Sequence, residues 1–81
     1  MNLLNYLKGY RIVLGLSQLD MAKKLDISRQ AYSEKERGNV SFKDNEKMEI
    51  LEMYKQVNPN ISLYDIFFAS KVTNGFENKG E

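Results

Sequence analysis

At 81 residues, with 28% charged and 42% hydrophobic side chains and a net charge of +1, the chain has the length for one small domain. It has no cysteine and no histidine, which excludes disulfides and thiolate metal sites and removes the commonest metal ligand and general base. Its apolar runs are far too short to cross a bilayer, and no basic leader precedes the apolar residues of MNLLNYLKGYRIVLG, so neither a membrane span nor a secretion signal is expected.

The charge is unevenly placed. Residues 1–43 carry eight basic and four acidic groups, whereas residues 44–81 carry four basic and seven acidic ones. A basic half beside an acidic half suits a polyanion-binding face that points away from a second working surface. Ordinary scatter of surface charge gives the same totals.

The pattern is helical almost throughout, with a single proline and no sustained alternation of apolar and polar residues. A first helix is expected over about 3–14, with Asn2 as cap, Leu3, Leu7, Tyr10 and Leu14 on one face, and Gly15 where a left-handed C-terminal residue is wanted. A second is expected over about 18–25. Ser17 caps it, Asp20 completes the cap, Leu16 and Met21 have staple spacing, and Met21, Ala22 and Leu25 form the buried stripe. A third is expected over about 29–37 after the cap Ser28, with Ile27 and Tyr32 as staple and Gly38 as stop. A fourth is expected over about 43–57, with Ile50, Met53 and Val57 on its main face, Met48, Leu51 and Tyr54 alongside, and Asn58-Pro59-Asn60 as stop. A fifth is expected over about 63–70, capped by Ser62 and Asp65 and stapled by Ile61 and Ile66. The expected organisation is one helical domain, residues 1–70, and a loose polar tail, residues 71–81. A complete chain is expected rather than half of a longer one.

The informative stretch runs from Ser17 to Gly38. Two short helices are joined by only Asp26-Ile27-Ser28, a connection too short to return the second helix antiparallel. A steep crossing is the expected outcome, the geometry of a helix-turn-helix unit. Ala22 supplies the small residue such a crossing needs, and Leu25, Ile27 and Tyr32 supply apolar plugs.

The run Gly15-Leu16-Ser17-Gln18, Met21-Ala22, Leu25, Ile27-Ser28, Tyr32-Ser33, Glu36 and Gly38 resembles the phage repressor/Cro-like (xenobiotic-response-element) helix-turn-helix family. Members of that family read G-L-[ST]-Q-x-x-[LM]-A-x-x-L-G-[VI]-S-x-x-x-[IY]-S-x-x-E-x-G. The resemblance extends upstream through Leu7, Tyr10 and Arg11 and resumes at Ile61–Phe67, so it covers about residues 3–68. Two departures stand out. The turn glycine is Asp26, which tolerates a left-handed conformation better than most residues. A position usually apolar is Lys35, whose stem is expected to lie along the core edge while its ammonium reaches water or a phosphate.

The resemblance implies an all-α, compact five-helix lambda-repressor-like domain, with its helix-turn-helix at about residues 17–37. It implies a sequence-specific DNA-binding transcriptional regulator, more often a repressor, in the cytoplasm of a bacterial or phage-infected cell. The third helix would enter the major groove of double-stranded DNA. With Tyr32 buried, Arg29, Gln30, Ser33 and Glu34 project outward as candidate base contacts. Arginine suits guanine, glutamine suits adenine, and glutamate can accept from the cytosine amino group. Gln18 matches the family glutamine that meets a phosphate at the start of the second helix, an end that already favours anions. Ser17, Ser28, Arg37, Asn39, Ser41 and Lys43 are further phosphate candidates; the serines are also N-caps, and Arg37 also complements the helix dipole. Glu36 reads as a solvated group or a partner of nearby lysines, and Glu34 has the same reading beside its base contact. Lys23, Lys24 and the acidic run Asp44, Glu46, Glu49 and Glu52 read as solvated faces, the acidic run with a polymerase or partner contact as its other reading.

Tyr64, Ile66, Phe67 and Phe68, with Val72 and Phe76 beyond them, crowd apolar side chains into the end of a very small protein. Related regulators dimerise on near-palindromic operators, and a homodimer through Tyr64, Phe67 and Phe68 is the expected use of this surface. The alternative is that these rings simply close the core. A different function class also fits: an interaction module of the same fold that binds another regulator, without DNA, through the aromatic end. No enzyme chemistry and no cofactor are expected, since no phosphate-binding glycine loop or isolated carboxylate pair is visible.

Overall fold

The computed structural model of the protein describes residues 6–68, all-α in five helical elements. These are α1 (Tyr6–Val13), α2 (Gln18–Leu25), α3 (Arg29–Glu36), α4 (Asp44–Tyr54) and a short π-helical turn, α5 (Tyr64–Phe68). Asn2 and Leu3, the expected tail at 71–81, and Val72 and Phe76 lie outside the described residues. No helix among the described residues is long and apolar enough to cross a membrane.

Caps set most boundaries. Ser17 Oγ accepts from the Asp20 N–H at 3.0 Å, and Asp20 Oδ2 accepts from the Ser17 N–H at 2.8 Å, a complete capping box. The bond from the Ser17 N–H, with the Ser17 hydroxyl beside it, holds the Asp20 carboxyl below its usual range. Ser28 Oγ caps α3 through the Ala31 N–H at 3.0 Å. Ser62 and Asp65 form the reciprocal pair before α5, at 3.1 and 3.2 Å.

α2 ends at Asp26, whose φ of 59° and ψ of 46° are left-handed, as the departure from glycine requires. Its N–H reaches back to the carbonyls of Ala22 and Lys23. α3 ends at Glu36, one residue before the expected end, with Arg37 as C-cap and the stop residue Gly38 at φ +88°. A Cβ on Gly38 would meet nothing within 4 Å, so the backbone angle, not space, selects glycine there.

α4 is shorter than expected, and its inward face is the expected one only in part. It stops at Tyr54 because Gln56 and Val57 close i→i+3 bonds to Met53 and Tyr54, at 3.2 and 3.0 Å, which tighten the last turn. Glu46, Ile50, Leu51 and Tyr54 are buried, Met53 is half-buried, and Met48 and Val57 are exposed. Of the expected residues Ile50, Leu51 and Tyr54 are in the core and Met53 packs at its edge, whereas Met48 and Val57 are corrected to exposed positions and Glu46 is added to the inward face.

The core joins all five elements: Leu7, Met21, Ala22, Leu25, Tyr32, Ile50, Leu51, Tyr54 and Ile66, with Phe42 and Ile61 from the loops. Met21, Ala22, Tyr32, Ile50 and Tyr54 are fully buried. Burying a side chain such as Ile50 contributes about 1.5–3 kcal/mol. α2 packs on α3 more extensively than any other helix pair, and α1 packs on α5. The Tyr54 hydroxyl donates to the Leu7 carbonyl, tying α4 to α1. Asn58 turns the α4–α5 loop by accepting from the Asn60 N–H at 3.0 Å and donates to the Tyr10 hydroxyl at 3.3 Å.

Candidate nucleic-acid interface

α3 presents two chemically different sides. Tyr32 lies in the core and donates to Glu36 Oε2 at 2.8 Å, one turn on. Arg29 and Gln30 are exposed at the opposite edge of the first turn, and neither side chain bonds to another described residue. Ser33 and Glu34 are half-buried. The Ser28 cap fixes the end of the helix that carries Arg29 and Gln30, so two long polar side chains leave a rigid base.

The other end of α3 is locked by a buried polar network. Arg11 Nε donates to Glu36 Oε2 at 2.7 Å, Arg11 Nη1 to the Leu16 carbonyl at 2.8 Å, and Gln18 Nε2 to Glu36 Oε1 at 2.9 Å. One carboxylate therefore gathers α1, α2 and α3. Glu36 is not solvated or paired with a lysine, as its sequence neighbours suggested; its side chain is 6% exposed and Arg11 is its ion partner. Burial would raise the Glu36 carboxyl, but the bonds from Arg11, Gln18 and Tyr32 outweigh it and hold it below the usual range. Burial likewise works against charge on Arg11, and the Glu36 bond and charge outweigh it and raise its pKa. Burial pushes the hydroxyls of Tyr32 and Tyr54 far up, so both remain neutral donors. Arg11 lies four residues after buried Leu7, and Glu36 four after buried Tyr32. Spacing shows only that each of these groups follows a core residue by one turn, and nothing in it pairs them.

Gln18, the phosphate candidate at the start of α2, has its amide nitrogen committed to Glu36, which sets that helix end beside the C-terminal end of α3. Ser17 stands next to it, exposed, with its hydroxyl engaged as a cap. Arg37, Asn39, Ser41 and Lys43 are all exposed in or beside the α3–α4 loop. The Asn39 side chain donates to Glu34 Oε1 at 2.8 Å, and Arg37 Nη1 lies 4.0 Å from Glu34 Oε2. Glu34 thus accepts one loop hydrogen bond, from Asn39, and has the Arg37 charge nearby. The basic and polar candidates fall into two groups along α3: Arg29, Gln30 and Ser28 at its start, and Ser17, Gln18, Arg37, Asn39, Ser41 and Lys43 around its end. An eight-residue helix separates them, about 12 Å long.

Lys35 and Glu46 form a pair that charge reading missed. Lys35 Nζ is 2.7 Å from Glu46 Oε1 and 3.0 Å from Oε2, with the two side chains 9% and 4% exposed. The expectation that the Lys35 ammonium reaches water or phosphate is corrected, as is the assignment of Glu46 to a solvated acidic face. Burial would raise the Glu46 carboxyl; the Lys35 bond and the Lys43 N–H outweigh it and lower it. Asp44, Glu49 and Glu52 are exposed, as are Lys23 and Lys24.

The three candidate interface rings divide. Phe67 is half-buried, 5.4 Å centroid to centroid from Phe42, and so helps to close the core. Tyr64 and Phe68 stack at 6.3 Å and remain 55% and 41% exposed. Lys47 Nζ lies 5.4 Å from the Phe68 ring, within cation–π range.

Comparison with protein-family models, curated proteins and solved structures finds no match to this chain.

Proposed function

We propose that the protein is a sequence-specific DNA-binding transcriptional regulator, a repressor that occludes a promoter as a dimer on a near-palindromic operator. In this reading α2, the Asp26–Ser28 turn and α3 act as a helix-turn-helix of the lambda-repressor-like kind, with residues 29–37 in the major groove. Arg29 and Gln30 read base edges first, and Ser33 stands behind them. Ser17, Gln18, Ser28, Arg37, Asn39, Ser41 and Lys43 meet phosphates. The observation that carries the reading is the division of α3: Tyr32 is locked into the core, while Arg29 and Gln30 stand exposed and unengaged by other described residues. The reading assigns no catalytic step and no cofactor.

The exposed Tyr64–Phe68 stack supports the two-fold contact, since one such domain alone makes too few base contacts for specificity. The same stack favours a second reading, an interaction module that binds another regulator through this end. Pull-down from fragmented genomic DNA at two salt concentrations separates them, with Arg29→Ala/Gln30→Ala as control. Enrichment of one short near-palindrome, lost in the double variant and weakened by salt, supports the regulator. Equal recovery by wild type and variant, with no sequence enriched, rejects it in favour of the interaction module.

A further inference from the structure

The Lys35–Glu46 pair stands in the last turn of α3, beside the loop part of the proposed interface and one helix length from Arg29 and Gln30. Glu46 Oε1 accepts from Lys35 Nζ at 2.7 Å and from the Lys43 N–H at 2.9 Å, so one carboxylate joins α3, the end of the α3–α4 loop and the first turn of α4. The Lys35 ammonium also lies 6.0 Å from the ring of Phe42, the loop residue that enters the core. The loop tied down in this way carries Asn39, Ser41 and Lys43, and the helix at its other side carries Arg29 and Gln30.

A buried ion pair is a poor source of net stability, because desolvation of both charges offsets their attraction. Apolar side chains of similar volume would fill the same place. What they would not supply is direction. Two charge-assisted bonds to one carboxylate fix a distance and an angle, whereas an apolar contact slides.

We propose that Lys35 and Glu46 are positioning residues for DNA binding, holding Lys43 and the α3–α4 loop in register with Arg29 and Gln30 so that phosphate and base contacts form together. Neither side chain touches DNA. The inference rests on the DNA-binding reading and adds which internal contact sets its geometry.

The test uses Lys35→Met/Glu46→Gln in the full chain. Methionine keeps the stem of Lys35, and glutamine keeps an acceptor for the Lys43 N–H. The probes are the duplex that the wild type enriches from genomic fragments and a scrambled duplex of the same length. Thermal melting first establishes that the variant is folded at the assay temperature. The expected result is a loss of operator affinity of about tenfold, about one base pair's worth of specificity, against a much smaller loss on the scrambled duplex. The slope of log affinity against log salt flattens by about 0.9, one phosphate contact. A purely structural pair would lower the melting temperature and leave the operator-to-scrambled ratio and the slope unchanged; that result in a folded variant overturns the inference alone. A wild type that enriches no duplex overturns the DNA-binding reading, and the inference with it. If the double variant does not fold, Lys35→Gln, which keeps one donor on Glu46 without the charge, takes its place: the same loss of ratio and slope supports the inference, and an unchanged ratio and slope overturn it.

Discussion

Replacing Glu36 with alanine is the most informative perturbation of the fold. Its carboxylate accepts from Arg11, Gln18 and Tyr32 at 2.7 to 2.9 Å, and the side chain is 6% exposed. Glu36→Ala leaves the Arg11 guanidinium buried without its counter-charge and the buried Tyr32 hydroxyl without its acceptor. Breaking a buried pair from one side costs about 3–5 kcal/mol. A chain of 81 residues has a total stability of only about 4–12 kcal/mol, so the loss is a large share of the whole. Urea unfolding followed by far-ultraviolet circular dichroism measures it, with Arg11→Met and the double variant Arg11→Met/Glu36→Ala completing a cycle. The double variant should cost less than the sum of the singles by about 2 kcal/mol or more, because removing both charges leaves no orphan. Additive singles, or a Glu36→Ala cost under about 1 kcal/mol, would show that water replaces the lost carboxylate and would refute the account of the network as a closed, dry site.

Acid should expose the same groups. Glu36 and Glu46 are both held below the ordinary 4.5, so their stabilisation is complete above that value and is lost as pH falls through their folded values. Melting temperature is therefore expected to stay level from about pH 7 to 5 and to drop below about 4.5, with a shallower drop in Glu36→Gln/Glu46→Gln; an unchanged slope in that variant would assign acid sensitivity elsewhere. Asp26→Gly should raise stability by about 0.5 kcal/mol, since a side chain at φ 59° carries strain that exceeds the extra unfolded-state freedom of glycine. A loss on urea unfolding would mean that the aspartate side chain itself holds the turn. Ser28→Ala should cost about 1 kcal/mol by unpairing the Ala31 N–H, with amide exchange at Ala31 speeding up relative to α4; uniform exchange throughout would contradict the local cap. Phe68→Ser should shift the proposed dimer toward monomer in sedimentation at high micromolar protein while leaving the melting curve of dilute protein nearly unchanged. A large loss of dilute stability would place Phe68 in the core instead.

The local features were legible along the chain because they depend on neighbours three or four residues apart. The Ser17–Asp20 box, the Ser28 and Ser62 caps, the left-handed Asp26 and the stop at Gly38 all occur where their residue types call for them, since a cap is a bond between a side chain and a nearby amide. Buried Met21, Ala22, Leu25, Tyr32 and Ile66 follow equally from helical spacing. What only the tertiary structure decided is which charged residues turn inward. Arg11 and Glu36 are 25 residues apart and Lys35 and Glu46 are 11 apart, and each reads alone as a surface group. Their burial becomes tolerable only when another helix delivers the opposite charge at hydrogen-bond distance, which no spacing within one helix can announce. The inward face of α4 changed in part with them: Glu46 takes a core position one turn before Ile50 because Lys35 is waiting there, and Met48 and Val57 are left outside. For the same reason Phe67 was indistinguishable from Phe68 in sequence; Phe42, delivered by the loop beyond Gly38, covers one ring and leaves the other exposed.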